Sequence, residues 1–486
     1  MLKNYIITAF RNLIKYKYYS LINILGLSIG IAGCLLMLLY VIDELSYDRF
    51  HEKADRIYRL NLDGVWGGEE TRGSTSPPPL AKLMVDEFPE VQTAARIFRP
   101  GDVVVRHQNT FFTESGLLAV DPDFFNIFSF EMLEGDPKTA LADPNSIVIT
   151  EETAAKYFDN QPAMGKLLNI GDDKSAFKIT GIVKSPPSNS HFDFDMLAPI
   201  EAYPVVKRFG WSWIWLQVVT YVVLEEGASP AAVNAKMPQL TATHGSKVIE
   251  RFSGLSFDEF ISTGGRWHWE LQPLTDIRLY SQEVGNRLGT IGDIKTVYIL
   301  SIIALFMILI ACINFMNLST ARSANRIKEV GVRKALGSYR SHLIGQFLCE
   351  SMLFSFISTT LALGLVELAL PFFNEISGKQ LAFNYLQHAW LFGSLIGLTA
   401  FVGIAAGSYP AFYLTAFQPV LALKGQRAIG ADGRSSYLRK ILVVCQFAIS
   451  SGLIVCTLLV YQQLKFIQTK DLGFDKENVI IVNNTE

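Results

Sequence analysis

The sequence has little cysteine, and none of it lies where a disulfide framework would be needed. The 486 residues include five cysteines, all in or beside apolar segments: Cys34, Cys312, Cys349, Cys445 and Cys456. The long polar region between Asp43 and Thr296 contains none, which excludes disulfides and cysteine-based metal sites there. We interpret the five cysteines as small apolar side chains within helices.

Motifs for metal and nucleotide binding are also missing. The seven histidines are scattered, and no two stand at the spacing typical of metal ligands. The phosphate-binding pattern GxxxxGK[ST] does not occur, since Gly165-Lys166 and Gly378-Lys379 lack the rest of it. A formal net charge of −2 gives no overall positive field for nucleic acid. We therefore predict no metal, no cofactor, no nucleic-acid partner and no ATPase activity in the chain itself.

Apolar residues, by contrast, are abundant and clustered. Half of the sequence is hydrophobic and 18% is charged, which is unusually apolar for a soluble protein. The first apolar run has 22 residues, enough for a helix about 33 Å long that crosses a bilayer. The sequence predicts five such transmembrane helices: Leu21–Ile42, Thr296–Met316, a stretch within Ile344–Leu370, Trp390–Ala411 and Ile441–Tyr461.

Basic residues concentrate in alternate connections between these helices. Residues 1–20 carry four Lys or Arg and no acid, and residues 322–340 carry six against Glu329 alone. Residues 424–440 are also basic, whereas the connection between the third and fourth helices has only Glu375 and Lys379. Lys and Arg favour cytoplasmic loops. The pattern predicts a cytoplasmic N-terminus and an extracytoplasmic domain over residues 43–295.

The first apolar run has an alternative interpretation as a secretory signal peptide. Residues 31–34 resemble a lipoprotein cleavage site. Eight apolar residues follow Cys34, however, and the run is longer than a typical signal core. We favour a retained helix, preceded by an amphipathic helix within residues 1–20 that lies on the inner membrane surface.

The outer region carries both helix and strand signals. Apolar spacing predicts a helix over Pro77–Phe88, and Thr150 is placed to cap a helix that runs to Phe158. Phe177–Val183 and Leu216–Leu224 are typical of strands. We predict an α+β domain inserted between the first two helices of a multi-pass α-helical membrane protein. Three tryptophans remain open between strand packing and a binding platform: Trp211, Trp213 and Trp215.

The end of the sequence resembles its start. Residues 437–486 contain a basic-flanked apolar helix, and Phe474-Asp475-Lys476 echoes Tyr47-Asp48-Arg49. We predict that this segment opens a second repeat. The full predicted layout is an N-terminal helix at 1–20, a transmembrane helix at 21–42, an outer domain at 43–295, a domain of three transmembrane helices at 296–425 with a connecting segment at 322–340, and the repeat start at 437–486.

Glycines in the apolar helices predict close helix packing. The segment from Gly26 to Gly30 also matches a nucleophile elbow, but that motif needs a strand-to-helix turn. Small residues four apart instead favour helix–helix contact, and the predicted packing positions are Gly26, Gly30, Gly393, Gly397, Gly403 and Gly407. Glu350 and Glu367 flank 16 uncharged residues of the third helix, so we expect both near the headgroups and not as an ion-coupling site.

The segment Lys328-Glu329-Val330-Gly331-Val332-Arg333-Lys334-Ala335-Leu336-Gly337 resembles the cytoplasmic coupling segment of the MacB/FtsX-like ABC transporter permeases. Gly407 to Ala411 is similar to that family's end of the fourth helix, where Tyr409 and Pro410 form the expected inner-end turn. The outer region resembles the family's periplasmic core domain around Thr150, Gly165 and Gly181. The coupling residues implied by this resemblance are Arg326, Lys328, Glu329, Gly331, Arg333, Lys334 and Gly337.

The resemblance implies a place in the plasma (inner) membrane of a bacterium. It also implies a cytoplasmic ABC ATPase dimer that binds the ATP, together with a second permease copy or repeat, membrane lipid and a periplasmic adaptor. One implied function is ATP-driven export or extraction of a hydrophobic or peptide-like substrate through motion of the outer domain. The alternative is a transmitter that transports nothing and regulates an external enzyme such as a cell-wall hydrolase. Positive charge alone would equally predict a membrane-anchoring loop at residues 328–337.

Overall fold

The computed structural model describes residues 2–108, 110–159, 161–171, 175–321, 330–382, 389–416 and 433–470. Five of the described helices are long and apolar enough to cross a membrane. A large mixed α+β domain separates the first of them from the second in the sequence. The chain forms two compact units, residues 1–39 with 300–486 and residues 40–299. The predicted fold class, a multi-pass helical membrane protein with an inserted α+β domain, is confirmed.

The helices are α1 (Leu2–Lys15), α2 (Lys17–Leu45), α3 (Leu80–Glu87), α4 (Phe124–Ile127), α5 (Glu151–Phe158), α6 (Pro204–Arg208), α7 (Pro230–His244), α8 (Ser246–Ser253), α9 (Phe257–Ser262), α10 (Ile277–Tyr280), α11 (Ile294–Ala321), α12 (residues 330–335), α13 (Arg340–Ser377), α14 (Ala389–Ala416) and α15 (Gly433–Thr469). The membrane-crossing set is α2, α11, α13, α14 and α15. Each extends a few residues beyond its predicted apolar run, because polar residues at the ends also adopt helical geometry.

Four of the long helices, α2, α11, α13 and α14, pack around one apolar core. Leu27 and Ile31 of α2 meet Ala304 and Ile308 of α11 in this core. Hydroxyl groups add bonds between helices: Tyr19 Oη lies 2.6 Å from Ser319 Oγ, for example. Such bonds satisfy polar side chains in a bundle. The fifth helix, α15, is exposed along most of its length, although its Gln446 accepts a hydrogen bond from Asn317.

A single 13-stranded sheet organises the outer domain. Its strands are β1 (Ile57–Trp66), β2 (Glu69–Gly73), β3 (Val91–Phe98), β4 (Val103–His107), β5 (Thr110–Glu114), β6 (Leu117–Val120), β7 (Met132–Gly135), β8 (Ser146–Thr150), β9 (Leu167–Ile170), β10 (Ser175–Val183), β11 (Met196–Pro199), β12 (Val218–Leu224) and β13 (Arg266–Pro273). The order is β13-β1-β12-β3-β6-β11-β8-β10-β9-β4-β5, with β2 on β1 and β7 on β10. Most described pairs are antiparallel; β10 with β8 and β11 with β6 are parallel.

The sheet is buried on both faces at its middle, which explains the uniformly apolar strands there. In β12 every residue is buried, and alternate side chains enter two different cores. Val222 and Leu224 pack with Leu80 and Met237 of the covering helices α3 and α7. The opposite side of β12 contributes Tyr221 to a core rich in phenylalanine. Period-two alternation therefore places neighbouring side chains of one strand in separate cores.

The predicted helix cap at Thr150 is confirmed. The Thr150 hydroxyl accepts a hydrogen bond from the Thr153 backbone N–H at 3.2 Å, and α5 runs from Glu151 to Phe158. Glu151 and Glu152 lie in the first turn, where negative charge favours the helix dipole. The helix begins directly at the end of β8, so its position is set by a buried strand.

Candidate functional site

The described part of helix α12, residues 330–335, lies inside the predicted coupling segment, and the helix ends at a glycine. Gly337 has φ of +92°, a left-handed conformation that favours glycine. Its N–H bonds to the Lys334 carbonyl at 3.0 Å, and the Ser338 N–H bonds to the Arg333 carbonyl at 3.0 Å. These two bonds form a Schellman motif, which satisfies the last carbonyls of a helix. The local sequence thus ends α12 sharply.

One side of α12 packs on the ends of two membrane helices. Val330 is 3% exposed and joins a small apolar core with Leu343 and Phe347 of α13 and with Ala411 and Leu414 of α14. Gly331, next to it, is also buried. Burial of these residues attaches α12 to both helices, so a force on α12 acts on α13 and α14 together.

Two of the predicted coupling residues turn towards the bundle. Arg333 Nη1 donates to Gln346 Oε1 of α13 at 2.7 Å. Lys334 Nζ donates to the Thr415 carbonyl of α14 at 2.6 Å, and burial, with the neighbouring Arg340, lowers the pKa of Lys334. A lysine at a helix end bonds carbonyls left without helical partners. These cations therefore hold α12 in place.

The opposite side of α12 presents apolar side chains to the surroundings. Val332, Leu336 and Tyr339 are 46%, 81% and 73% exposed. Val332 and Leu336 stand four residues apart and so share one helix face. Leu336 and Tyr339 lie in the turn that joins α12 to α13, and we call these three residues the apolar face of α12. Sequence reasoning missed them because attention went to charge, although the spacing of Val332 and Leu336 was a usable signal.

Other predicted coupling residues lie outside the described residues: Arg326, Lys328 and Glu329. Their role stays a prediction. The structure thus brings Gly331, Arg333, Lys334 and Gly337 together on the described end of α12 and its cap.

The six predicted packing glycines fall into two groups. A Cβ atom on Gly30 would lie 2.5 Å from the Cβ of Ala311, and one on Gly26 would lie 3.2 Å from Asn314 Nδ2. A Cβ on Gly403 would lie 2.5 Å from Met352 Sδ, and one on Gly407 2.5 Å from Ser351 Oγ. At Gly393 and Gly397 such an atom would meet nothing within 4 Å among the described residues. Close approach is therefore seen at four positions, and packing at the other two stays a prediction.

Tyr409 and Pro410 lie within α14, which continues to Ala416. The expected inner-end turn is therefore helical at these two positions. Membrane helices tolerate proline where neighbouring groups satisfy the backbone. The Tyr409 ring stacks on that of Tyr413 with 5.9 Å between centroids.

Glu350 is buried among the helices of the bundle. It is 7% exposed and lines a cavity of about 20 Å³ together with Tyr19, Ser319 and Ser351. Glu367, by contrast, is exposed. The direction in which α13 turns each side chain is not visible in the length of an uncharged run, and the position of both carboxylates near the headgroups stays a prediction.

One group of metal-type donors occurs in the described part of the outer domain. Donor atoms of Asp63, His268 and Glu270 lie within 4.8 Å of one another. Arg266 already contacts both oxygens of Asp63, at 2.7 and 2.9 Å. Because this guanidinium neutralises the carboxylate, the group is explained as an ion-pair cluster.

Comparisons with known proteins identify families and relatives that match this chain. The model "MacB-like periplasmic core domain" matches residues 20–240, and the model "FtsX-like permease C-terminal" matches residues 301–419. The uncharacterized ABC transporter permease YvrN of Bacillus subtilis is 24% identical over 450 residues, covering 86% of this chain and 98% of that protein. A macrolide export ATP-binding/permease protein MacB of Bdellovibrio bacteriovorus is 34% identical, covering 63% of this chain and 42% of that protein.

Solved structures also match the chain. The match to a domain of a putative permease from Porphyromonas gingivalis covers 50% of this chain and 94% of that domain, with 23% identity and a TM-score of 0.40. The match to the periplasmic region of MacB from Actinobacillus actinomycetemcomitans covers 43% of this chain and 92% of that region, with 12% identity and a TM-score of 0.29.

The chain spans about half the length of the MacB relatives, from 42% to 55% among three of them. The two family models match in the order of the fold, the core domain first and the permease helices after it. The chain therefore belongs to the MacB/FtsX-like ABC transporter permeases, as a multi-pass membrane protein with an extracytoplasmic core domain.

Proposed function

We propose that this chain is the membrane subunit of an exporter powered by a separate cytoplasmic ATPase dimer. The ATPase docks on the apolar face of α12, and its ATP-driven movement passes through α12 to the membrane helices and the outer domain. The movement expels or extracts a hydrophobic or peptide-like substrate. Residues 1–20 and 322–340 lie in the cytoplasm of a bacterial cell in this arrangement.

The exposure pattern of α12 carries this proposal. Three apolar side chains face outwards, while Val330, Arg333 and Lys334 face the bundle. A helix that only anchored the membrane surface would present its basic side chains to lipid headgroups. A helix that docks in a protein groove presents apolar residues at helical spacing. The arrangement of α12 fits the second case.

The ATPase partner is supported by sequence. The chain contains no GxxxxGK[ST] pattern, and the MacB relatives, of which it spans about half, are named ATP-binding/permease proteins. The export direction is supported by the same printed names, which describe macrolide export. A hydrophobic or peptide-like substrate is the class we propose for this chain.

A second permease copy, or the second repeat that residues 437–486 would open, completes the membrane part in this proposal. The support is α15, whose apolar length is largely exposed among the described residues. We also propose a periplasmic adaptor for the outer domain, by analogy with the export relatives.

The test measures how well chains with an altered apolar face bind the partner ATPase and stimulate its activity. Val332→Asp with Leu336→Asp places two charges where apolar contact is expected. We expect at least a tenfold loss of ATPase binding, measured with purified partner in nanodiscs. Leu167→Asp, at a leucine 55% exposed in the outer domain, is the matched control and should change nothing. Normal binding and stimulation by the double variant would contradict the proposal.

A further inference from the structure

One guanidinium in the outer domain bonds the end of a membrane helix. Arg278 of α10 donates from Nε to Glu44 Oε2 at 2.9 Å and from Nη2 to Glu44 Oε1 at 2.8 Å. Glu44 belongs to the last turn of α2, and 234 residues separate the two partners. The side chains are 10% and 3% exposed. A two-pronged arginine–carboxylate pair of this kind fixes orientation as well as distance.

The same guanidinium also bonds the segment that leads into α11. Arg278 Nη1 donates to the Thr290 carbonyl at 2.9 Å and to Thr290 Oγ1 at 2.7 Å. Its Cζ atom lies over the Tyr47 ring, 4.4 Å from the centroid. Thr290 stands four residues before α11 begins at Ile294. One side chain therefore contacts the end of α2, the turn after it and the approach to α11.

Gly292 allows this close arrangement. A Cβ atom on Gly292 would lie 2.9 Å from Glu44 Oε2 and 3.1 Å from Arg278 Nε. Its N–H donates to the Arg278 carbonyl at 2.7 Å. Any side chain at this position would therefore push against the ion pair. The backbone before α11 is thus held to Arg278 from two directions.

Further bonds fix the chain that follows Glu44. Asn189 Nδ2 donates to Ser46 Oγ at 3.0 Å, and the His191 N–H donates to Asp48 Oδ1 at 3.0 Å. The outer end of α2 is therefore joined to the domain through several successive residues. Arg278 differs from these contacts because it alone, among the bonds described here, reaches the approach to α11 as well.

The geometry points to Arg278 as a positioning residue that locks together the two ends by which the outer domain connects to membrane helices. With the lock closed, the end of α2 and the start of α11 move as one body during the ATP cycle. Without it, each helix would move its own end of the domain. The inference rests on the proposed function, in which helix motion drives the domain.

A spin-label distance across the lock tests this inference. The labels go on Ile42→Cys and Ile299→Cys, at side chains 37% and 57% exposed, after the five native cysteines are replaced by alanine. We expect one narrow distance distribution in nanodiscs, unchanged when the partner ATPase binds ATP. Arg278→Gln should widen the distribution at least twofold and make it respond to ATP.

The control is Arg72→Gln, which removes an exposed ion pair with Glu283 in the same domain and should leave the width unchanged. Tryptophan fluorescence during heating reports whether each variant is folded. If Arg278→Gln does not fold, Arg278→Lys replaces it, because lysine keeps the positive charge but cannot form the two-pronged pair with Glu44.

An Arg278 variant as narrow as the parent, with and without ATP, would overturn the lock. A parent distance that itself changes with ATP would overturn movement as one body. Failure of the parent to stimulate any ATPase would count against the proposed function. The lock would still be tested in that case, by comparing the widths of the distance distributions of the parent and the Arg278 variant without nucleotide.

Discussion

Gly30 sets how closely α2 approaches α11. A Cβ atom there would lie 2.5 Å from the Cβ of Ala311 and 3.4 Å from the Met307 carbonyl oxygen. Neither neighbour is the far end of a flexible side chain, so the backbones themselves must separate to admit a larger residue. The position therefore depends on glycine for steric reasons and not for backbone conformation.

We predict that Gly30→Val destabilises the bundle. Overpacking of this kind costs about 1–3 kcal/mol, which should lower the midpoint of thermal unfolding in detergent by several degrees. Gly364→Val is the control, because a Cβ there meets nothing within 4 Å among described residues. Equal midpoints for the two variants would show that α2 and α11 are not closely packed.

His51 is a buried histidine in the outer domain. It is 3% exposed, and its Nδ1 accepts a hydrogen bond from the Ser129 N–H at 3.0 Å. Burial lowers the pKa of His51 to about 4; the charge of Asp48 opposes this shift, and His191 adds to it. In the unfolded chain the histidine binds its proton near pH 6.5. The unfolded state therefore takes up a proton before the folded state does.

We predict that this histidine weakens the outer domain in acid. Its contribution to stability is present above pH 6.5 and falls as the pH drops towards 4, by roughly 3 kcal/mol in all. His51→Asn should flatten the decline in the unfolding midpoint between pH 7 and pH 4.5, followed by tryptophan fluorescence. His342→Asn, at an exposed site on α13, should not. An unchanged acid profile in His51→Asn would contradict the prediction.

At the scale of elements, the features that depend only on neighbouring residues could be predicted from the sequence. The cap at Thr150 depends on residues within one helical turn. The long helices were equally predictable, because crossing a bilayer requires one continuous apolar run. These features need no knowledge of distant residues.

Elements whose form depends on distant partners were not predictable. Trp211 to Trp215 resemble a strand in their alternation, but β12 begins only at Val218. Trp213 is buried against Trp269, while Trp211 is 55% exposed. Likewise, the residues near Arg333 do not indicate that Gln346 accepts a hydrogen bond from its guanidinium. In each case the partner is supplied by the tertiary fold.

We predict that Gly331→Leu separates coupling from anchoring. Gly331 is buried beside Val330, so a leucine there should displace α12 from α13 and α14 with no change in charge. Stimulation of the partner ATPase should fall at least tenfold in a reconstituted assay. Gly364→Leu makes the same exchange on α13, where an added Cβ would meet nothing within 4 Å among the described residues, and serves as the control. Normal stimulation by Gly331→Leu would favour simple anchoring by positive charge.

At the scale of the whole molecule, charge predicts one orientation in the membrane. Two exposed serines allow a test: Ser188 in the outer domain and Ser338 after α12. In a chain without native cysteines, we expect Ser188→Cys to react with an impermeant reagent in intact cells and Ser338→Cys to react only after lysis. Labelling of Ser338→Cys in intact cells would reverse the orientation.

The order of strands was beyond sequence reasoning. β1 lies between β12 and β13, although both partners come much later in the chain. Apolar alternation identifies a strand but not its neighbour, because many strands have equivalent patterns. The α+β class was therefore predictable, and the single sheet was not.

The place of β1 in the sheet has a consequence for how the protein is made. About 200 residues separate Trp66, the end of β1, from Arg266, the start of β13. At ~5–20 residues per second, synthesis leaves the emerging β1 without that partner for roughly 10–40 seconds. An unpaired strand edge invites wrong pairing. During the interval after export of β1, the new chain is therefore exposed to proteolysis and wrong strand pairing. A chaperone that binds the unpaired strand would act in this period.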